Sequence, residues 1–214
     1  MASSTSLNIK HISKDFSIDR LDDPAWKSAS QSVITKYWSG NAAPSGRHFT
    51  ANLLSSDAAL YVRFRAFQSE PLVVSENPDL TKKMRGLWDR DVCEIFIAPD
   101  RNKRNKYFEF EIGPNGEWID LVIEIAYPER KTDWDYKSAM TSAAKIEKDK
   151  VVMAIKIPWE AFGARPRAGD VWLGNLFRCV GKDPTRGYLA WQPTETPKPN
   201  FHVPEKFGEF WFTK

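Results

Sequence analysis

Apolar and polar residues alternate with a period of two along most of the patterned segments of this chain, and that alternation confines it to sheet structure. In ALYVRFRAF (59–67), Leu60, Val62, Phe64 and Ala66 fall on one side and Tyr61, Arg63, Arg65 and Phe67 on the other. Seven further strands are expected: DVCEIFIA (91–98), KYFEFEI (106–112), GEWIDLVIE (116–124), KVVMAIKI (150–157), DVWLGNLFRCV (170–180), GYLAWQ (187–192) and FGEFWF (207–212). Turn-forming residues separate them in APDRN, GPNG, EKDK, GARPRAGD and GKDPTRG. Helical spacing is nearly absent; DDPAWKSA (22–29) and PWEAFG (158–163) read as short helices, the first with an acidic residue ahead of its proline.

Many short strands with frequent turns and no βαβ rhythm imply an all-β fold, an antiparallel β-sandwich. At 214 residues the chain suits one domain, 1–214, with residues 1–6 as a flexible tail. Unpatterned segments at 36–50, 68–90, 126–142 and 192–206 are read as long loops, where binding residues concentrate.

Composition excludes several partners. Thirty-one basic against 28 acidic residues give a net charge of +3, and the basic run RNKRNK (101–106) reads as a solvated hairpin tip, so no nucleic-acid partner is expected. No apolar run spans a bilayer, and MASSTSLNIKHISKDF lacks the sections of a secretory signal peptide, so no membrane partner is expected and the compartment stays open. Cys93 and Cys179 lie in separate strand patterns and are read as free thiols, with a disulfide as the alternative. Three histidines without ligand spacing argue against zinc, and no cofactor is required; acidic loops such as DRD (89–91) or DWD (133–135) could supply oxygen ligands to a structural calcium.

The chemistry-bearing signal is a set of charged residues inside strands. In DVCEIFI, Glu94 shares a face with Val92 and Phe96; in KYFEFEI, Glu109 and Glu111 share one with Tyr107. Arg178 shares a face with Trp172, Gly174 and Leu176, and if these strands are neighbours, Glu94, Glu109 and Arg178 project together among aromatic rings. Nine tryptophans accompany them, with Trp88, Trp191 and Phe201 in or beside loops and His202 next to Phe201. Aromatic platforms flanked by acidic and guanidinium groups suit a neutral polyhydroxylated ligand, whose C–H faces stack on rings and whose hydroxyls take hydrogen bonds. A structural ion pair is the plain alternative for Glu94 and Arg178, edge packing for Trp191 and loop fixing for His202. Trp26, Trp118, Trp159, Trp172 and Trp211 read as packing residues; Trp38 and Trp134 lie in polar loops where either could extend a groove, although neither is assigned to the site.

Trp88 followed by DRDVCEIFI, then KYFEFEIGPNGEWIDL, GNLFRC and LAWQPTETPKPNFHVPEKFGEF, resembles carbohydrate-binding module family 9 and its family-9-like relatives. The resemblance runs from LDDPAW (21–26) to the last strand; W-x-x-D-x-x-E-I-F and F-H-x-P-x-x-F-G are its most specific parts. It implies an immunoglobulin-like sandwich and non-catalytic binding of carbohydrate, such as plant-type polysaccharide ends or oligosaccharides, with two rings clamping a terminal sugar. Trp88 matches one clamp ring, Phe201 falls at the second, and Glu94 matches the strand carboxylate that bonds sugar hydroxyls. Glu109 and Arg178 stand where the sugar-binding members carry Arg and Gln. Two other functions remain open: a structural or protein-interaction sandwich without a sugar site, and a glycoside hydrolase using paired carboxylates. Oligomeric state is not legible.

Overall fold

A computed structural model describes residues 5–214. It contains thirteen strands: β1 (Ser6–His11), β2 (Gln31–Ile34), β3 (Phe49–Ser55), β4 (Ala59–Phe67), β5 (Val92–Ala98), β6 (Lys106–Ile112), β7 (Trp118–Ala126), β8 (Glu129–Asp133), β9 (Thr141–Ile146), β10 (Lys150–Pro158), β11 (Val171–Val180), β12 (Gly187–Ala190) and β13 (Gly208–Thr213). No α-helix occurs among the described residues; the two expected helices are 3-10 turns at Pro24–Ser28 and Trp159–Phe162. In the first, the Asp23 side chain accepts a hydrogen bond from the Ala25 N–H and Pro24 occupies the opening position, as a helix start demands. Among the described residues, no helix is long and apolar enough to cross a membrane.

The strands form one curled sheet in the order β8-β7-β6-β5-β11-β13-β1-β3-β4-β10-β9, with β12 paired to β11 and β2 to β3. Its halves face each other across a shared core in the manner of a β-sandwich. Ile95, Phe110 and Leu176 from one half meet Val62, Phe64 and Ile155 from the other, all fully buried. The sheet is not wholly antiparallel, because β1 runs parallel to both neighbours, β13 and β3. Of the six residues expected as a tail, 1–4 lie outside the described residues and Ser6 already pairs with Glu209.

Each half also buries apolar residues on its outward face. Phe16, Leu21 and Trp26 cover Tyr61 and Ala154 on one side; on the other, Phe96, Leu121, Ile123 and Phe177 pack with Phe201 and Trp134. This second outward face holds the cleft described next.

Candidate ligand-binding cleft

Strand parity builds the floor of the cleft. β5 turns Glu94 and Phe96 outward, and register sets Glu94 between Glu111 of β6 and Phe177 of β11. Two residues back along β6, Glu109 faces Phe96 on one side and Leu121 of β7 on the other. In an alternating strand, E-F-E must place both carboxylates on the face opposite the core phenylalanine. Leu121, Ile123 and Cys179 complete a floor that encloses about 390 Å³ beneath the surrounding loops.

Two loops raise the walls. Gly86, at φ 79, adopts a left-handed conformation that favours glycine, and starts the turn Leu87–Asp89. Leu87 is buried and anchors the turn, so Trp88 is delivered to the rim with 36% of its surface exposed. Arg186 holds the turn in place by donating to the carbonyl oxygens of Trp88 at 2.6 Å, Asp89 at 3.1 Å and Arg90 at 2.7 Å. The half-buried Trp134 stands beside Trp88, with ring centres 6.1 Å apart and planes tilted by 46°. At the other wall, Phe201 lies flat on Phe177 at 4.1 Å, and His202 packs over Phe96 with Nδ1 2.7 Å from the Tyr107 hydroxyl.

The floor is electrostatically unusual. Oxygens of Glu94, Glu109 and Glu111 come within 4.8 Å of one another, and the three residues are at most 4% exposed. No lysine or arginine forms an ion pair with any of them among the described residues. Burial raises Glu94 well above the usual carboxylate range, and the neighbouring Glu109 charge adds to it. Burial also raises Glu111, with Glu94 and Glu109 adding repulsion, and pushes Glu109 up to about 7. Glu109 Oε2 and both Glu111 oxygens receive no protein donor, apart from a proton that one acid can lend the other. Cys179 Sγ approaches Glu94 Oε1 at 3.6 Å as a weak donor. Burial lowers His202 to about 3, with the Arg130 charge acting the same way, so the ring is neutral at pH 7. Its 3.9 Å approach to Glu109 is therefore neither an ion pair nor a hydrogen bond.

The model of the carbohydrate family 9 binding domain-like family matches residues 18–214. The chain belongs to that family. Solved structures share its fold at low identity. A Bacteroides uniformis protein provisionally described as carbohydrate-binding is 16% identical, with 97% of this chain and 98% of that chain covered at a TM-score of 0.75. A family 9 module from Caldicellulosiruptor kristjanssonii, solved with cellotriose, is 15% identical, with 97% and 93% covered and a TM-score of 0.68. The same module's glucose complex gives 15% identity, coverage of 97% and 95%, and the same TM-score of 0.68. No curated protein matches the chain significantly.

In this family 9 domain, Trp88, Glu94, Glu109, Phe201 and His202 line one cleft, as their grouping in the sequence anticipates. Arg178 and Trp191 do not line it. β11 pairs Arg178 with Cys93, not with Glu94, so Arg178 points to the opposite side of the sheet. There it donates to the carbonyl oxygens of Arg47, His48 and Phe67 and to Gln68 Oε1. Its parity within the strand is read correctly from the sequence; the register between strands, which decides what it meets, is not written there. Trp191 stacks on Phe210 at 5.6 Å inside the shared core and roofs Gly208, where an added Cβ would meet its ring at 2.7 Å.

Phe201 differs from the expected clamp ring in one respect: it is only 9% exposed, and one of its faces is occupied by Phe177. Cys93 and Cys179 are free thiols on opposite faces of the sheet. In the acidic loops that could supply oxygens to a calcium, two carboxylates accept hydrogen bonds from the protein. Asp91 accepts from the Gly181 and Val73 N–H groups and from Gln68, and Asp133 accepts from the N–H groups of Asp135 and Tyr136. Among the described residues, Glu94, Glu109 and Glu111 form a group of carboxylates close enough together to surround a cation. Among the further lining residues absent from the expected site, Trp134 and Glu111 bear most directly on ligand chemistry. For Glu111 the signal was present, since it shares parity with Glu109. Trp134 sits in a polar stretch, DWDY, with no periodicity to orient it.

Proposed function

We propose that this domain binds carbohydrate without catalysing its breakdown, seating a sugar or an oligosaccharide end in the cleft above β5 and β6. The observation that carries this reading is an exposed tryptophan rim over a recessed carboxylate floor, in a member of a family of carbohydrate-binding domains. Trp88 offers a ring face to the C–H surface of a pyranose, with Trp134 beside it, and Glu94, Glu109 and Glu111 offer acceptors to hydroxyls. Phe201 closes the far end as an apolar wall, and the clamp in this reading is asymmetric, one open ring facing one seated ring. Neighbours that were solved with cellotriose and glucose support glucan-type ligands as the first to test.

A hydrolase reading gains no support from the floor. Acid and nucleophile or base flank a glycosidic bond from separate positions, whereas these carboxylates share one sheet face within 4.8 Å.

Isothermal titration against cello-, xylo- and manno-oligosaccharides and monosaccharides tests the proposal. Saturable binding that is lost in Trp88→Ala is expected; heat-silent titrations across the panel with a folded protein would remove it. We also read the chain as one immunoglobulin-like module, which predicts a single calorimetric unfolding transition; two separated transitions would divide it.

A further inference from the structure

We propose that the carboxylate trio at the cleft floor seats a protonated primary amine, so that the sugar taken here is one carrying a free amino group. This rests on the carbohydrate reading above and narrows it.

Three acceptors around an ammonium nitrogen at charge-assisted distances stand ~4.6 Å apart if they follow its tetrahedral N–H directions. Oxygens of Glu94, Glu109 and Glu111, all within 4.8 Å of one another, are close enough for one nitrogen to reach all three. The donor count also matches, because an ammonium has three N–H groups and no acceptor. Glu109 Oε2 and both oxygens of Glu111 are buried without a protein donor, a costly state that an incoming donor relieves.

A neutral hydroxyl brings one proton and no charge. It can satisfy one of these oxygens but supplies no charge to hold the three carboxyls ionised against their mutual repulsion. The nearest guanidinium groups do not fill the role: Arg186 is spent on backbone carbonyls, and Arg130, which lines the cleft from the exposed edge strand β8 and whose charge reaches Glu109, forms no ion pair with the trio. A divalent cation is the rival occupant: calcium takes six to eight oxygens, more than one from each carboxylate, and the nearby floor residues Phe96, Leu121 and Ile123 supply none, which leaves Asp89, Thr132 and Asn200 on the lining to make up the number. An ammonium needs no more than three, and its carbon stem leads back towards the tryptophan rim.

The test compares three trisaccharides that differ in the group at the second carbon: fully deacetylated chitotriose, N-acetylated chitotriose and cellotriose. They are titrated at mildly acidic pH, where the amine is protonated. The deacetylated sugar should bind roughly a hundredfold more tightly than the other two, since a seat built for one polar group rejects analogues that lack it. Its binding heat should vary with the buffer, because ionising the trio releases protons. Glu111→Gln should erase the preference while the circular dichroism spectrum stays unchanged; if that variant does not fold, the three wild-type titrations carry the test alone.

Equal or tighter binding of cellotriose would overturn the amine seat and leave the carbohydrate reading standing. Failure of all three sugars, together with the wider panel, would overturn both. Two controls discriminate further: N-acetyl-lysine amide binding as tightly as the deacetylated sugar would overturn the sugar half, and calcium chloride alone binding in a Glu111-dependent way would make the trio a metal seat instead.

Discussion

Phe177 and Arg178 are adjacent in β11, yet they point into two environments that treat buried charge in opposite ways. On the inner side, the Arg178 guanidinium is 2% exposed and meets three carbonyl oxygens and a glutamine side chain. On the outer side, beside Phe177, three carboxyl groups about as deeply buried as Arg178 crowd together and leave oxygens without donors from the rest of the fold. One burial is complete in the domain alone and the other is not. A polar group that the fold has finished satisfying serves the fold, whereas one left unsatisfied at the bottom of an open cleft marks where a ligand completes the set.

Four measurements can break or sharpen this contrast. Arg178→Ala should destabilise the domain by about 4 kcal/mol in urea unfolding, since it strands several buried carbonyl oxygens at once; a loss below about 1 kcal/mol would mean that water replaces the guanidinium readily. Phe201→Ala should cost about 3 kcal/mol, because its ring is packed on Phe177. A loss of sugar affinity without that loss of stability would restore Phe201 to the role of an open clamp ring.

The third concerns pH. Glu109 has a folded pKa of about 7, above the carboxylate value of 4.5 that it regains on unfolding, so the folded state holds the proton more tightly. Its contribution is therefore fully present below the unfolded pKa and is lost as pH rises from about 4.5 to about 7. In Glu109→Gln that dependence should flatten, by about 3 kcal/mol at most across the window. A variant whose stability profile parallels the wild type would show that Glu109 holds its proton no more tightly in the folded state than in the unfolded one. The smallest effect is expected at the rim: Trp88→Ala should change stability by less than about 1 kcal/mol, as its exposed ring contributes little to the core, while removing most of the sugar affinity.

How far these features could be read from the sequence followed from burial. β4 and β6 coincide with the alternating segments read from the sequence, because each sets one apolar row against the core. Five strands went unread. β8, ERKTD, is an exposed edge strand whose polar residues have no apolar face to reveal. β2 and β9 also lie at edges and are mostly exposed or half-buried. β3 fails for the converse reason: FTANLLS is buried on both faces, so alternation disappears. β1 offers only Leu7 and Ile9 as an apolar pair, too short a pattern to separate from loop.

In the site, parity within a strand was legible and pairing between strands was not. Alternation therefore groups Glu94 with Glu109, whereas the side of the sheet on which Arg178 lies relative to them depends on a register between strands that the sequence does not display. The walls depend on loop geometry, which a turn at Gly86 and the backbone clamp of Arg186 settle through long-range contacts.

The seam between the two halves bears on synthesis as well as on stability. β1 lies between β3 and β13, pairing Ser6 with Glu209 at one edge and Lys10 with Leu54 at the other. As the chain leaves the ribosome, β3 becomes available to β1 early, but its other edge stays open until nearly the whole domain has emerged. The apolar residues Leu7 and Ile9 must therefore wait, half-sheltered, for Phe210 and Phe212. Closure of this longest-range pairing places the domain among slow-folding topologies, with β1 the segment most in need of shelter while translation proceeds.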